Sequence, residues 1–429
     1  MAGHRKIEAA HYRTWQFLEP LLDDGHEVHL CADDGDGIRV PDERRYRRVA
    51  FHPISFRRRL GWARTLQRVH DEIDPDCVLT VNFDSALCAT KLRTEKPIWM
   101  DIYGDYFTIV QAACHRRGSD RGIATSVRFG RRVLETGDVF SVCSVPQQHA
   151  LVGELAMLGR LNARNFGYSF ARVVRPGTAP CDETRRRRTG RSTLAAFGIP
   201  DGAFAVLWCG GYNTWTDVET LFAGLESAMA GAANVHFVSV GASSYEGPRT
   251  VYEQFSALVS ASSHRERYHL LGWRPWNEMD VYYRECDVGL NIDALHYETV
   301  YGTRTRIVEM IGAGLPVITT LGCELSNLLA DEEAALTFEI GDSETLGNAI
   351  VALAAGPQEG ERIAERALRY AREELSFATT TACLREWIRA PMREPGSVDP
   401  SWRERLRRVE YAGRSIVRQA LWRVAGLDR

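Results

Sequence analysis

Residues 296–320 read HYETVYGTRTRIVEMIGAGLPVITT, and this stretch decides the fold. Apolar residues recur in it at helical spacing, and residues that break a helix follow them. The apolar residues are Ile307, Met310 and Ile311, and the breakers are Gly312, Gly314 and Pro316. The pattern predicts a loop, then a helix, then a buried strand that starts at Val317.

The loop before this helix has the composition of an anion site. A glycine in front of a helix leaves backbone N–H groups unpaired at the positive end of the helix dipole, and two arginines flank it. The candidate residues are Tyr301, Gly302, Thr303, Arg304 and Arg306. Glu309 lies at least one turn further on, so it is free to accept hydrogen bonds from the hydroxyls of a ribose. A phosphate site beside a carboxylate that accepts hydrogen bonds from hydroxyls suits a sugar nucleotide. An ordinary αβ unit, with its arginines paired to acids elsewhere, explains the same residues.

The stretch resembles the sugar-nucleotide motif of retaining GT-B glycosyltransferases, family four in particular, where a helix ends in EAMACGLPVI. This chain has EMIGAGLPVI at 309–318, and it is similar to a bacterial subgroup with ETR…RTRxLDYLWAGLPVVTT. The family places a first glutamate eight positions before the second. That position is Tyr301 here, and Glu298 stands eleven positions before Glu309. Either Glu298 reaches the sugar from a longer loop, as the catalytic candidate, or the chain lacks that contact.

Composition limits the class of protein. The chain has 429 residues, of which 45% are hydrophobic and 25% charged, which is enough for two globular domains. A net charge of −3 does not suggest a nucleic-acid partner. Its ten cysteines stand singly, with no CxxC pair and no Cys/His cluster at metal spacing, as in a reducing compartment. No apolar run is long enough to span a membrane and no secretory signal begins the chain, so we expect a cytoplasmic protein.

The first residues depart from a doubly wound domain, which normally begins with a strand and a glycine-rich loop. Here a helical pattern at His11–Leu22 comes first, and the strand Glu27–Ala32 follows. We expect that the true protein is longer and that residues 1–3 end the missing loop. A genuine short start is the alternative. The pattern also resembles the first unit of GT-B N-terminal domains.

Two aspartates follow the predicted strand Pro97–Met100, at the kind of strand end where such sheets bind ligands. Asp101 and Asp105 are candidates for catalysis on the acceptor side, with helix capping or a turn as an equal alternative. Many relatives carry a His-Asp pair here, and this chain has no histidine at either position.

A second glycine-containing turn opens the second half of the chain. Gly210 and Gly211 follow the buried strand Ala203–Cys209, and Asn213 comes next, so the backbone can approach a diphosphate. Relatives often hold the diphosphate with Arg and Lys in this segment, whereas residues 210–217 contain neither. We expect the arginines at 304 and 306 to supply that charge from across the cleft. By resemblance, Trp273 or Arg274 contacts the nucleobase, although packing between helix and sheet explains them equally.

The resemblance implies an α/β protein of the GT-B class, in which two Rossmann-like, doubly wound domains face each other across a cleft. We expect an acceptor-side domain at 1–178, a linker at 179–202 with an arginine run at 185–188, and a sugar-nucleotide domain at 203–375. Residues 376–396 would cross back to the first domain. Residues 397–429 carry eight arginines against four acids and an apolar stripe, as in a basic amphipathic helix. Such a helix binds an anionic membrane, or packs on the protein or a partner.

The resemblance further implies transfer of a sugar from a nucleoside diphosphate sugar to an acceptor, with retention, and with neither an obligatory metal nor a cofactor. A nucleotide-sugar epimerase, a pseudo-glycosyltransferase that couples two non-sugar rings, and a non-catalytic partner of another transferase share the same site. The sugar and the acceptor stay open at this point, because a few loop side chains select them.

Overall fold

A computed structural model describes residues 9–33, 48–55, 61–179, 190–243 and 250–396. The arginine run at 185–188, the first eight residues and the predicted tail helix at 397–429 lie outside these ranges. None of the helices in the described ranges combines the length and the apolar character that a membrane crossing requires.

The first half of the chain alternates helices with short parallel strands. The helices are α1 (Ala9–Asp23), α2 (Trp62–Ile73), α3 (Phe83–Ala89), α4 (Tyr106–Arg117), α5 (Ile123–Thr136) and α6 (Val145–Met157). The strands are β1 (Val28–Asp33), β2 (Val49–Ile54), β3 (Val78–Val81), β4 (Ile98–Asp101), β5 (Val139–Val142) and β6 (Ala171–Val173).

The second half alternates in the same way. Its helices are α7 (Ser192–Ala195), α8 (Val218–Gly231), α9 (Val251–Ala261), α10 (Met279–Glu285), α11 (Tyr297–Tyr301), α12 (Thr305–Gly312), α13 (Glu324–Asp331), α14 (Ser343–Ala355), α15 (Pro357–Glu374), α16 (Phe377–Thr380) and α17 (Ala382–Arg389). Its strands are β7 (Phe204–Cys209), β8 (Val235–Val240), β9 (Tyr268–Gly272), β10 (Val288–Asn291), β11 (Val317–Thr320) and β12 (Leu336–Phe338).

The strands form three parallel sheets. The first half has a pair β1-β2 and a four-stranded sheet in the order β3-β4-β5-β6. The second half has a six-stranded sheet in the order β12-β11-β10-β7-β8-β9. In this order the chain winds outward from β7 in one direction and returns to start again at β10. The strand order therefore reverses between β7 and β10, and ligands bind at such a point, beyond the carboxyl ends of the strands.

Helices cover both faces of the six-stranded sheet, because its strands are apolar on both sides. β7 buries five of its six residues, and all four residues of β10 and of β11 are buried. Two apolar clusters, one on each face, hold the strands to helices such as α8 and α14 on one side and α12 and α15 on the other. Fully apolar strands of this kind are typical of parallel sheets.

The chain returns to the first half at its C-terminal end. Leu384 in α17 joins a buried cluster with Phe17 of α1 and Trp99 of β4. The indole of Trp387 lies 5.4 Å, centroid to centroid, from that of Trp99. Thr178 and Ser376 also pair as a backbone bridge. Helix α17 thus completes the core of the first domain.

Candidate active site

The turns that follow the neighbouring strands β7 and β8 lie against each other, next to the reversal point. Gly210 after β7 has a φ of +95°, and Gly241 after β8 has a φ of +150°, both in the region that favours glycine. A Cβ added to Gly241 would lie 1.9 Å from the carbonyl oxygen of Gly210. The amide of Gly210 in turn donates to the Val240 carbonyl oxygen at 2.8 Å. Glycine at 241 therefore allows the β7 turn to sit against the end of β8.

Arg306 reaches this turn from the first turn of α12. Its guanidinium carbon lies 4.0 Å above the ring of Trp208, and its Nη2 donates to the carbonyl oxygen of Gly211 at 2.9 Å. Its Nη1 is buried and has no hydrogen-bond partner among the described residues. Arg306 thus serves the turn from within the same domain, and not from across the cleft as we had expected. Burial lowers the pKa of Arg306, and the nearby Asp293 carboxylate opposes that shift without forming a salt bridge with the guanidinium.

Arg304 has a different environment. Its Nε donates to Asp293 at 2.8 Å and 2.9 Å, and its Nη2 donates to Glu298 at 3.0 Å. All three side chains are buried. Burial opposes the charge of Arg304, but the two carboxylates outweigh it and raise the pKa of the guanidinium. Arg304 therefore fixes the loop between β10 and α12.

Glu298 and Tyr301 lie in the short helix α11, which precedes Gly302. Burial raises the pKa of Glu298, while Arg304 opposes that shift. The pairing with Arg304 occupies both carboxylate oxygens, which lie 3.2 Å and 3.0 Å from the guanidinium nitrogens. Tyr301, at the position where the family has its first glutamate, stacks with Tyr297 at 6.2 Å.

The loop from Gly302 to Arg304 brings the start of α12 to the site. A Cβ at Gly302 would lie 2.5 Å from the Glu298 carbonyl oxygen, so only glycine fits there. Thr303 is half-buried, and its carbonyl oxygen accepts a hydrogen bond from Arg304 at 3.2 Å. No side chain caps the N-terminus of α12. Its first N–H groups are therefore available beside the Gly210–Gly211 turn.

Glu309 lies one turn further along α12 and faces two aromatic residues. The hydroxyl of Tyr283 donates to its Oε2 at 2.9 Å, and the side chain of Trp276 also hydrogen-bonds to it. Burial raises the pKa of Glu309. The two hydrogen bonds, from Tyr283 and Trp276, and the positive charge of Arg306 oppose that shift. Arg274 is two residues before Trp276 in the sequence. Its guanidinium carbon lies 4.8 Å above the ring of Phe197, so Arg274 packs on that ring.

Asn213 belongs to the loop that follows the glycine turn. The backbone N–H of Asn213 donates to the Thr216 hydroxyl at 3.2 Å. The residues that follow Asn213 contact the loop after β10. Ala294 donates to the Trp215 carbonyl oxygen at 2.8 Å, and the Trp215 ring lies 5.7 Å from the Arg304 guanidinium. The loops after β7 and β10 thus form one surface.

Asp101 in the first domain has partners from that domain. It is fully buried and accepts hydrogen bonds from Arg13 at 2.7 Å and 3.1 Å. The Ser141 hydroxyl donates to it at 2.6 Å. These contacts favour a role in attaching α1 to the four-stranded sheet.

Asp105 caps α4, which is the alternative that the sequence had left open. Its Oδ1 accepts from the amide of Thr108 at 2.7 Å. Its side chain also hydrogen-bonds to Glu154, and burial and the charge of Asp105 raise the pKa of Glu154 to about 8. Asp105 lies close enough to Glu298 to raise the pKa of that carboxyl as well.

Contacts between the two halves of the chain surround the site. The Ser144 hydroxyl donates to the Tyr301 carbonyl oxygen at 2.6 Å. Glu324 at the start of α13 accepts from Arg175 at 3.0 Å and from the Val145 amide at 3.3 Å. Arg116 at the end of α4 lies 3.4 Å from the Thr214 hydroxyl. The candidate site therefore lies in a cleft between two domains.

Several residues of the site were not predicted from the sequence, namely Asp293, Trp208, Trp276, Tyr283 and Ser144. Asp293 could have been predicted, because it lies two residues after a buried strand, where ligand-facing residues collect. The contacts of Trp276 and Tyr283 with Glu309 depend on tertiary packing, and no spacing in the sequence signals them.

Comparisons with known proteins agree with this geometry. The family described as glycosyl transferases group 1 matches residues 203–355. The structure is similar to sucrose-phosphate synthase from Thermosynechococcus elongatus, with 18% identity, 88% of this chain and 92% of that chain covered, and a TM-score of 0.65. It is also similar to HepE from Anabaena in complex with UDP-glucose, with 14% identity, 90% and 97% covered, and a TM-score of 0.66.

A third similar structure is WaaG, a glycosyltransferase involved in lipopolysaccharide biosynthesis, with 16% identity, 90% and 97% covered, and a TM-score of 0.63. A comparison with curated protein sequences finds no match. The predicted fold class is confirmed, since these neighbours are GT-B proteins. With its group 1 domain at residues 203–355, the chain is a glycosyltransferase of the GT-B fold.

Proposed function

We propose that the protein transfers a sugar, with retention, from a nucleoside diphosphate sugar to an acceptor, and that it does so without a metal ion. Residues 203–375 would bind the sugar nucleotide and residues 1–178 the acceptor. The observation that carries the proposal is Arg306, whose Nη1 is buried without a partner beside the Gly210–Gly211 turn. A buried cation with an unused N–H group is costly unless an anion binds there.

The diphosphate would lie between this turn, Arg306 and the N-terminus of α12. Negative charge grows on the diphosphate as the bond to the sugar breaks. Arg306 and the backbone N–H groups are already oriented toward that position, so they stabilise the charge without rearrangement. Because this positive charge comes from the chain itself, transfer would not need a metal cation.

Glu309 would bind the hydroxyls of the ribose. Its carboxylate is held by Tyr283 and Trp276, and the latter follows β9, where we expect the base. A carboxylate accepts hydrogen bonds from both hydroxyls of a ribose, whereas a 2′-deoxyribose offers one fewer. Arg304 would position the loop and not bind the substrate, because its guanidinium is already paired with Asp293 and Glu298.

UDP-sugars are the first compounds to test, because the similar HepE structure is a complex with UDP-glucose. We would measure the binding of UDP-, GDP-, TDP- and ADP-sugars by calorimetry, and then of the matching free diphosphate and its 2′-deoxy analogue. In the wild type we expect one base to be preferred and the deoxy analogue to bind more weakly. The anomeric configuration of the product reports retention, and turnover in EDTA reports whether a metal is needed.

Two substitutions separate the roles of the site residues. Arg306→Gln removes a charged hydrogen-bond donor and should weaken diphosphate binding by about 10- to 100-fold. Glu309→Gln should weaken ribonucleotide binding and abolish the preference over the deoxy analogue. Glu361→Gln, at an exposed position in α15, is the matched control. If the folded wild type binds none of the nucleotides, the transferase proposal fails and a non-catalytic partner role replaces it.

Product analysis tests the remaining alternatives. An epimerase would change the sugar of the sugar nucleotide with no acceptor present, whereas a transferase would release only slow hydrolysis products. A pseudo-glycosyltransferase would consume a non-sugar ring donor in preference to every sugar nucleotide.

A further inference from the structure

The end of α4, the turn after it and most of α5 carry a concentrated positive charge. Residues 115–132 read HRRGSDRGIATSVRFGRR, with six arginines against one aspartate, a formal charge of +5 in a chain whose net charge is −3. All six arginines are exposed, and one of them, Arg131, pairs with Glu135 at 2.8 Å. We call residues 115–132 the basic segment. Such a concentration of one sign of charge attracts anionic partners.

Two arginines of α5 are held by neutral oxygens. The Nη2 of Arg128 donates to the Thr125 hydroxyl at 3.0 Å, and the Nη2 of Arg132 donates to the Thr90 carbonyl oxygen at 3.2 Å. These bonds fix the guanidinium groups on the surface of the domain without cancelling their positive charge. Each group keeps further N–H donors for an anion, since a guanidinium has five.

Apolar side chains are exposed among the arginines of α5. Ile123 is 42% exposed, Val127 49% and Phe129 42%. The inner face of the helix is formed by its buried residues, which are Gly130, Val133 and Leu134. Arg128 falls on the outer face, and Val127 and Phe129 lie about 100° around the helix on either side of it. The outer surface of α5 is therefore both basic and apolar.

The basic segment also reaches the cleft between the domains. The Nη1 of Arg116 lies 3.4 Å from the hydroxyl of Thr214, which belongs to the loop after β7 in the second domain. Helix α11 of the second domain packs against α4. The basic and apolar surface of α5 therefore continues to the edge of the candidate site.

We propose that the basic segment binds the surface of an anionic membrane. The arginines contact the phosphate groups of the lipids, while their apolar stems and the side chains of Val127 and Phe129 enter the interfacial layer. Charge alone suits any polyanion. The apolar side chains between the arginines favour a lipid surface, because a soluble polyanion has no apolar layer to cover them. Binding in this orientation holds the edge of the cleft at the membrane.

Cosedimentation of the full chain with lipid vesicles tests the proposal. We expect binding to phosphatidylglycerol vesicles that weakens as the salt concentration is raised, and much weaker binding to phosphatidylcholine vesicles, because the attraction needs anionic headgroups. The assay contains no sugar nucleotide, so its result is independent of whether the nucleotide site acts as proposed.

Two double substitutions separate charge from apolar contact. Arg121→Gln with Arg128→Gln should weaken binding to phosphatidylglycerol vesicles by about tenfold or more, since each arginine near such a surface contributes about fivefold. Val127→Ser with Phe129→Ser should weaken the same binding by about tenfold, because it removes apolar area from the contact. If the second variant unfolds, Val127→Ser alone should show a smaller loss.

Matched controls carry the same kinds of change elsewhere. Arg362→Gln with Arg369→Gln removes two exposed arginines from α15, and Met157→Ser removes an exposed apolar side chain at the end of α6. Both variants should bind phosphatidylglycerol vesicles as the wild type does. An unchanged melting temperature in circular dichroism shows that each variant is folded.

Three results would overturn the proposal. The wild type could bind phosphatidylglycerol vesicles no better than phosphatidylcholine vesicles. Both double variants could bind like the wild type, which would assign the membrane contact to another part of the chain. The arginine variant could lose binding while Val127→Ser with Phe129→Ser keeps it, which would assign the basic segment to a soluble polyanion.

Discussion

At the scale of single residues, Glu154 makes the stability of the first domain depend on pH. Burial, and then the charge of Asp105, raise its pKa from an ordinary 4.5 to about 8. The folded protein therefore holds this proton more tightly than the unfolded chain does. The stabilisation from this group is complete below about pH 4.5 and is lost as the pH rises toward 8.

We predict that Glu154→Gln makes the protein more stable than the wild type at pH 8, and that the difference disappears near pH 4.5. A difference on the order of 2 kcal/mol is expected, because the side chain is partly exposed and the full shift does not apply. Urea unfolding across this pH range measures it. Glu219→Gln, at an exposed position of α8, should leave the pH profile unchanged. Parallel profiles for wild type and Glu154→Gln would contradict the prediction.

The two arginines of the opening stretch show what residue patterns can and cannot predict. The pattern placed Arg304 and Arg306 equally at the anion site. In the structure Arg306 keeps a buried Nη1 without a hydrogen-bond partner among the described residues, while Arg304 forms salt bridges with Asp293 and Glu298. Asp293 is eleven positions away and comes together with Arg304 only when β10 and α12 pack. Glycines at 210, 211 and 302 were easier to predict, because their requirement is local.

At the scale of elements, the ends of β7, β8 and β9 depend on close backbone contact. We predict that Gly241→Ala destabilises the protein by about 3 kcal/mol or more, because its Cβ would meet the Gly210 carbonyl oxygen at 1.9 Å. Displacing that turn should also weaken nucleotide binding. Urea unfolding and calorimetry measure the two effects.

Gly272→Ala is the matched control at the end of the neighbouring strand. Its φ of +67° also favours glycine, but a Cβ there would meet nothing within 4 Å. Backbone strain alone should cost about 1–2 kcal/mol. Equal losses in the two variants would show that the close contact with Gly210 is unimportant.

Helices and strands were largely predictable, because apolar periodicity and breakers act within a short stretch. Helix α12 and strand β11 are found within a few residues of their predicted positions. The short helix α11 was not predicted, since Gly302 interrupts its pattern and its stability comes from packing against α4 and α6. That packing also explains why Glu298 is buried.

At the scale of the whole molecule, Glu324 is a bridge between the domains, with Arg175 and Val145 as its partners. We predict that Glu324→Ala separates the domains and lowers kcat on the order of tenfold, because the transfer site must close around its substrates. Nucleotide affinity should change little, since the proposed phosphate contacts lie within the second domain. Small-angle scattering should show a larger radius of gyration.

Glu332→Ala, an exposed position at the end of the same helix, controls for the loss of a carboxylate. An unchanged radius of gyration in Glu324→Ala would contradict the bridging role. So would a loss of nucleotide affinity as large as the loss of kcat.

The return of the chain to its first domain has a consequence for synthesis on the ribosome. Phe17 and Trp99 leave the exit tunnel early, yet their cluster lacks Leu384 until nearly the whole chain has been translated. The second domain is complete before that residue emerges. We therefore expect the domain that is made first to acquire its full stability last, and to need protection from aggregation while translation continues.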